Sequence, residues 1–294
     1  MDPVVARPEV ESFFHADTGT FTHVVYDREG GGAAIVDPVL DYDPAAARTS
    51  TASADAVLAF VRAHRLSVEW ILETHAHADH LSAGALLRER LGAKLAIGRG
   101  ITRVQAHFAA LFGIADEVRA DGSQFDRLFD DGDAFRIGTC EARVIATPGH
   151  TADSVAYLVG DAAFVGDTLF APDVGTARAD FPGGDARQLH DSLQRLLALP
   201  PATRLFLCHD YPVQGRAPIA CTSIAAERAR NPHLAEGLDA AGFVALRHAR
   251  DAQLPVPRLL LPALQVNIRG GALPGPDANG IRYLRLPLDQ VGAA

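Results

Sequence analysis

Three histidines and an aspartate fall within six consecutive positions, in Thr74-His75-Ala76-His77-Ala78-Asp79-His80. Imidazole nitrogen and carboxylate oxygen are the ligands that zinc and non-haem iron take most readily. A chain of 294 residues with 12 histidines produces an HxHxDH pattern by chance in roughly two sequences per thousand. A set of solvated loop histidines is therefore the weaker reading. On a straight strand His75 and His77 would share a face and His80 would point away. The side chains converge only where the chain turns from a strand into a helix.

Further segments add donors of the same kind. Thr147-Pro148-Gly149-His150-Thr151 forces a turn and leaves a histidine at a strand end. Phe164-Val165-Gly166-Asp167-Thr168 ends an apolar run on a carboxylate, and Leu205-Phe206-Leu207-Cys208-His209-Asp210-Tyr211 ends another on a histidine. Taken singly, each is a surface histidine or a turn aspartate. Together with the first motif, four separate strands each deliver a metal-capable side chain at their mouths.

The elements that must position these groups follow from apolar periodicity. Strands are expected over residues 22–26, 33–36, 68–73, 94–97, 143–146, 154–159, 162–165 and 204–207. Helices are expected over 55–64, from Leu81 to Leu91, and over 101–112, 186–199, 223–229 and 236–250. Residues 41–54, rich in Ala, Pro and Asp, read as a loop. Early strands that pair locally, followed by strands alternating with helices, suit an α/β chain with two sheets covered by outer helices. Residues 1–254 are read as one catalytic domain, and 255–294 as an extended Pro/Gly-rich tail packed on it.

Composition narrows the partners. The chain is 48% hydrophobic and 21% charged, with net charge −9. It lacks a basic run, so nucleic acid is not expected as a partner. No apolar stretch reaches 18 residues, so no membrane span is expected, and residues 1–11 have no apolar core that would read as a signal peptide. Cys140, Cys208 and Cys221 form no CxxC pair or dense framework, which suits a reducing, cytoplasmic setting. Cys208 reads as packed inside its strand. Lys94 is the only lysine, so an anionic substrate would have to be gripped by arginine.

These motifs, in this order, resemble the metallo-β-lactamase superfamily over roughly residues 13–250. The resemblance implies an αβ/βα sandwich with the site at the strand mouths between the sheets. In dinuclear members His75, His77 and His150 would hold one metal, Asp79, His80 and His209 the other, and Asp167 would bridge. Every one of those ligands is present.

Finer stretches resemble the persulfide dioxygenases: Gly166-Asp167-Thr168-Leu169-Phe170, then Gly175-Thr176-Ala177-Arg178-Ala179-Asp180-Phe181, His209-Asp210-Tyr211 and Glu227-Arg228-Ala229-Arg230-Asn231-Pro232. The tail through Gln265-Val266-Asn267 to Arg282-Tyr283-Leu284 resembles a bacterial branch of β-lactamase-like hydrolases. The dioxygenase resemblance implies one Fe(2+) per chain on His75, His150 and Asp167, with His77, Asp79, His80 and His209 around them. Two imidazoles and a carboxylate are also the facial set that leaves open positions on Fe(II). The implied reactants are glutathione persulfide, or a similar small persulfide, and O2.

Glyoxalase II, a thioesterase with two Zn(2+), shares the same motifs. It grips glutathione partly with C-terminal lysines, and here no lysine follows Lys94. A metal-binding protein without catalysis is disfavoured by the complete ligand set. Arg178 can take a substrate carboxylate or pair with Asp180 or Asp185; Tyr211 can donate to substrate or pack in the core. A homodimer is left open.

Overall fold

The alternating apolar pattern becomes strands whose two faces serve two different cores. In the computed structural model, residues 7–234 and 239–291 are described, the side chain of Gln214 excepted. The first half comprises β1 (Glu9–His15), β2 (Thr20–Tyr26), β3 (Gly32–Val36), β4 (Val39–Asp43), β5 (Arg48–Ser50), α1 (Ala52–Ala63), β6 (Ser67–Leu72), β7 (Leu81–Ser82), α2 (Gly84–Leu91), β8 (Lys94–Gly98), α3 (Ile101–Leu111) and β9 (Arg127–Phe129). The second comprises β10 (Ala134–Ile137), β11 (Cys140–Ala146), β12 (Val155–Val159), β13 (Ala162–Phe164), α4 (Ala186–Leu197), β14 (Arg204–Phe206), β15 (Cys221–Ser223), α5 (Ile224–Arg230), α6 (Ala240–Asp251) and α7 (Leu260–Asn267).

Together with a three-stranded sheet β5-β4-β7, two six-stranded mixed sheets result. One runs β1-β2-β3-β6-β8-β9 and the other β10-β11-β12-β13-β14-β15. Side chains that alternate along β3 and β6 sort cleanly. Ile35 and Ile71 face the core under the helices of the first half, whereas Ala34, Val36, Trp70 and Leu72 face the second sheet. Along β12 and β13, Val155, Tyr157 and Phe164 face inward between the sheets, while Ala156 and Ala163 face the helices beyond. Period-two burial on both faces is what a sheet covered on both sides requires. The αβ/βα sandwich expected from the sequence is the fold observed. α4 covers the second sheet with Leu189, Leu193 and Leu196, and its start is fixed by Asp185, whose carboxylate accepts from Gln188 N at 2.8 Å.

The pairing directions bring the motifs to one edge. β3 and β6 are parallel, so Asp37 and Thr74, which follow them, emerge side by side. β13 and β14 are parallel, so Asp167 and His209 emerge together. β11 and β12 are antiparallel, and the turn between them carries His150.

The structure corrects the sequence reading in three places. Residues 41–54 are not a plain loop: β4 and β5 pair across a turn in which Asp43 Oδ1 accepts from Ala45 N and Ala46 N. Leu81 belongs to β7, paired with Leu40, and the helix begins only at Gly84. The tail is not wholly extended. It contains α7, which buries Leu260, Ala263, Leu264 and Val266 in the first core; Pro262 is tolerated there because it lies in the first turn. The helix expected from Glu236 starts outside the described residues, as does the N-terminal stretch 1–6. Among the described residues, no helix is long and apolar enough to cross a membrane.

Candidate metal centre

All seven donors expected from the motifs meet at the strand mouths. His75, His77, His80, His150 and His209 are buried, as is Asp167. Two donor sets have ligand atoms within 4.8 Å of one another: His75, His150 and Asp167 in one, and His77, Asp79, His80 and His209 in the other. Asp167 lies between them. Its Oδ2 is 3.5 Å from His150 Nε2 and 3.9 Å from His75 Nε2, and its Oδ1 is 3.4 Å from His209 Nε2.

Hydrogen bonds fix which nitrogen each ring offers. His150 Nδ1–H donates to the Arg178 carbonyl at 2.8 Å, leaving Nε2 for a metal. Thr74 Oγ1 donates to Asp37 Oδ2 at 3.0 Å, so it accepts from His75 Nδ1–H, also at 3.0 Å, and again Nε2 is left. His77 is oriented the other way, with Nε2–H donating to Asp37 Oδ1 at 3.0 Å. Such outer contacts set the tautomer and aim of metal-binding histidines.

The fit to a metal rests on atoms left bare. His75 Nε2, His77 Nδ1, His80 Nε2, His209 Nε2 and Asp167 Oδ1 are buried without a hydrogen-bond partner. An unpartnered buried polar atom costs about 1–3 kcal/mol, and so many converging on one point is the arrangement a cation relieves. The electrostatics agree. Burial, and then the neighbouring imidazoles, hold His75 and His77 well below the usual histidine range, in the neutral form that ligates. Burial pushes the Asp167 carboxyl up, against His209 and His150. For Asp79 burial acts upward too, but His209 and His80 outweigh it and hold the carboxyl well below its usual range.

Two glycines are required by close approach. At Gly149, φ is +138° and a Cβ would lie 2.2 Å from Leu189 N, so the turn carrying His150 presses directly on α4. At Gly166, φ is +52° and a Cβ would meet Thr74 Oγ1 at 2.7 Å, beside His75.

A cavity of about 540 Å³ opens beside the centre, lined by Asp79, His150, Asp167 and Tyr211 and, across an apolar wall of Phe170, Phe181 and Leu254, by Arg178, Arg250 and Arg258. That volume is ordinary for a small-ligand site. Arg178 lines it but is already engaged. Its Nε and Nη2 grip both oxygens of Asp180 at 2.6 and 2.7 Å, and Nη1 donates to the Pro255 carbonyl at 2.7 Å. Arg178 is thus in an ion pair with Asp180 while it also lines the cavity. Arg250 and Arg258 are exposed on the same cavity; among the described residues neither has an ion pair. Tyr211 is half-exposed and stacked on His209, with ring centroids 5.8 Å apart, so it is available to a ligand rather than packed in the core. Cys208 is buried, and burial together with Asp37, Asp167 and Asp79 pushes its thiol well up, which makes it an unreactive packing group.

Residues that sequence reasoning passed over complete the centre. Asp37 also accepts from Thr74 N at 2.7 Å, and Asp153 accepts from Ala76 N at 2.8 Å. The signal for Asp37 was there, since it ends the apolar strand β3 just as Asp167 follows β13.

With fold and donors in place, comparison with known proteins assigns the family. The model of the metallo-beta-lactamase superfamily matches residues 17–209, and the chain belongs to that superfamily. It is 51% identical to a probable metallo-hydrolase of Burkholderia pseudomallei, over 96% of this chain and 99% of the relative. It is 44% identical to glyoxylase B2 of Dictyostelium discoideum, over 97% and 98%. With the mitochondrial persulfide dioxygenase ETHE1 of Homo sapiens it shares 30% identity over 92% and 89%. The crystal structure of ETHE1 from Myxococcus xanthus superposes with a TM-score of 0.72 at 32% identity, covering 90% of this chain and 100% of that one. The chain is an enzyme of this superfamily, a hydrolase or a dioxygenase, with a metal-binding site of histidine and aspartate.

Proposed function

We propose that the chain is a non-haem iron persulfide dioxygenase, which converts glutathione persulfide or a similar small persulfide, with O2 and water, to sulfite and the free thiol. The observation that carries this reading is the set His75, His150 and Asp167, two imidazoles and one carboxylate, while His77 groups with Asp79, His80 and His209. His75, His150 and Asp167 would hold iron(II), which would supply redox chemistry toward O2 and a soft sulfur anion that is closed to zinc. The similarity to the human persulfide dioxygenase and to the Myxococcus structure points the same way.

The chain's own residues then bind and orient. Phe170, Phe181 and Leu254 offer an apolar wall to the carrier's methylene and peptide stem. Arg250 and Arg258, neither of them in an ion pair among the described residues, meet the carrier's carboxylates by two-pronged hydrogen bonds. Tyr211 presents its hydroxyl to the bound thiol. Holding the persulfide with its outer sulfur toward the centre makes the oxidation effectively intramolecular. His209, whose Nε2 is 3.2 Å from Asp79 Oδ2, keeps that carboxylate charged.

A second reading has its own support. The bare His77 Nδ1, His80 Nε2 and His209 Nε2 are what a second metal would take, and the resemblance to glyoxylase B2 suits a glutathione thioesterase with two Zn(2+). Elemental analysis of protein purified without added metal separates the two. Close to one iron per chain supports the dioxygenase, whereas two zinc per chain with activity that tracks zinc overturns it.

A further inference from the structure

The helix α7 lies far along the chain from the first histidine motif, yet one of its side chains is built into that motif. Asn267 is buried. Its Nδ2 donates to the His77 carbonyl and to the His80 carbonyl, both at 2.8 Å, and its Oδ1 accepts from Ser82 N at 2.8 Å. One amide thereby satisfies three backbone groups of the loop that runs from the first donor set into β7.

Few side chains could do this. Two donors and one acceptor, arranged in a plane, are the inventory of a primary amide. A carboxylate has no hydrogen to give the carbonyls, and a hydroxyl has only one. The helix that delivers the amide is anchored independently, since Leu264 and Ala263 pack in the first core and Gln265 is bonded to the Leu261 and Arg285 carbonyls. The clamp is therefore held by packing on one side and spends its polar capacity wholly on the loop. From the other side Asp153 takes Ala76 N, and Asp37 takes Thr74 N and His77 Nε2. Asn267 is the only one of these three contributed by the tail.

We propose that Asn267 is a positioning residue of the metal centre. It fixes the backbone of His77 and His80, and so the separation of the two donor sets, and it makes the C-terminal segment part of the site. The inference rests on the metal-centre assignment but not on the choice between dioxygenase and thioesterase.

The test compares two changes in the same helix, using the full chain. Asn267→Asp keeps the acceptor for Ser82 N and sets a carboxylate against two carbonyls. Leu260→Ala leaves a hole in the same core, two turns earlier in α7. In the metal-free protein both should lower Tm. In chelator competition with iron(II) and with zinc, Asn267→Asp should weaken affinity about 10–100-fold, the scale of outer-contact losses at metal sites. Leu260→Ala should stay within about twofold of the parent. Asn267→Ser, which is smaller and loses one donor, should fall between and serves if the aspartate variant does not fold. Affinities that follow Tm alike in both helix positions, or an unchanged affinity in the Asn267 variants, would overturn the proposal.

Discussion

His77 turns its Nε2–H onto Asp37 Oδ1 at 3.0 Å and leaves Nδ1 bare, while His75 turns its Nδ1–H onto Thr74 Oγ1 at 3.0 Å and leaves Nε2 bare. Two histidines two positions apart thereby offer different nitrogens. In the one-metal account His75 is a ligand and His77 an orienting group. His75→Ala should lose the metal, whereas His77→Ala should retain most of it with activity lowered about 10–100-fold. Metal content after desalting checks this, and equal loss from both variants contradicts it.

Asp37 makes a second demand on the same loop. It accepts from Thr74 N, Thr74 Oγ1 and His77 Nε2 while buried. Asp37→Ala leaves those donors unpaired, at about 1–3 kcal/mol for each. The expected outcome is a fall in the unfolding free energy of several kcal/mol, read in a urea titration of the metal-free protein. A change below about 1 kcal/mol would show that the loop does not depend on it.

The arginines of the cavity divide by their partners. Arg178, spent on Asp180 and Pro255, should behave as a structural residue. Arg178→Gln is expected to lower Tm and to disturb the turn whose carbonyl holds His150. Arg258→Gln should leave Tm unchanged and raise KM for a glutathione-borne substrate about fivefold, since a partly exposed charge pair is screened. Steady-state kinetics beside thermal unfolding checks both; a KM effect confined to Arg178 would restore it as the substrate contact.

Acid sensitivity should reside partly in His23. Burial lowers this imidazole to about 4, against the raising effect of its hydrogen bond to the Leu207 carbonyl. In the unfolded chain it titrates near the ordinary 6.5, so between these values the unfolded state binds more protons. Its contribution of about 3 kcal/mol is present above pH 6.5 and lost as pH falls to 4. His23→Gln retains a donor for Leu207 and removes the titration. The difference between parent and variant in unfolding free energy should narrow over that window; a constant difference from pH 7 to 4 contradicts the assignment.

What the sequence disclosed was whatever local order encodes. Apolar strands that end in His75, Asp167 and His209 stand out because period-two burial and a terminal polar group are contiguous features. Asp37 went unread because a single aspartate after a strand is commonplace until β3 is known to lie parallel to β6. Asn267 could not be read at all, because its partners lie about 190 positions earlier and only tertiary packing joins them. Leu81 was drawn into the helix by its spacing from Leu86, whereas pairing with Leu40 and the bond from Ser82 N to Asn267 hold that stretch extended. Arg178 was legible as an arginine near the site, but whether its partner was substrate or Asp180 depended on the fold of the turn.

Oxidation and hydrolysis part at oxygen uptake, which an oxygen electrode reads. Iron-loaded protein given glutathione persulfide should consume O2 with sulfite appearing in step, and under anaerobic conditions it should leave S-lactoylglutathione intact. Rapid anaerobic hydrolysis of the thioester, with no oxygen uptake on the persulfide, would overturn the dioxygenase and establish the thioesterase in its place.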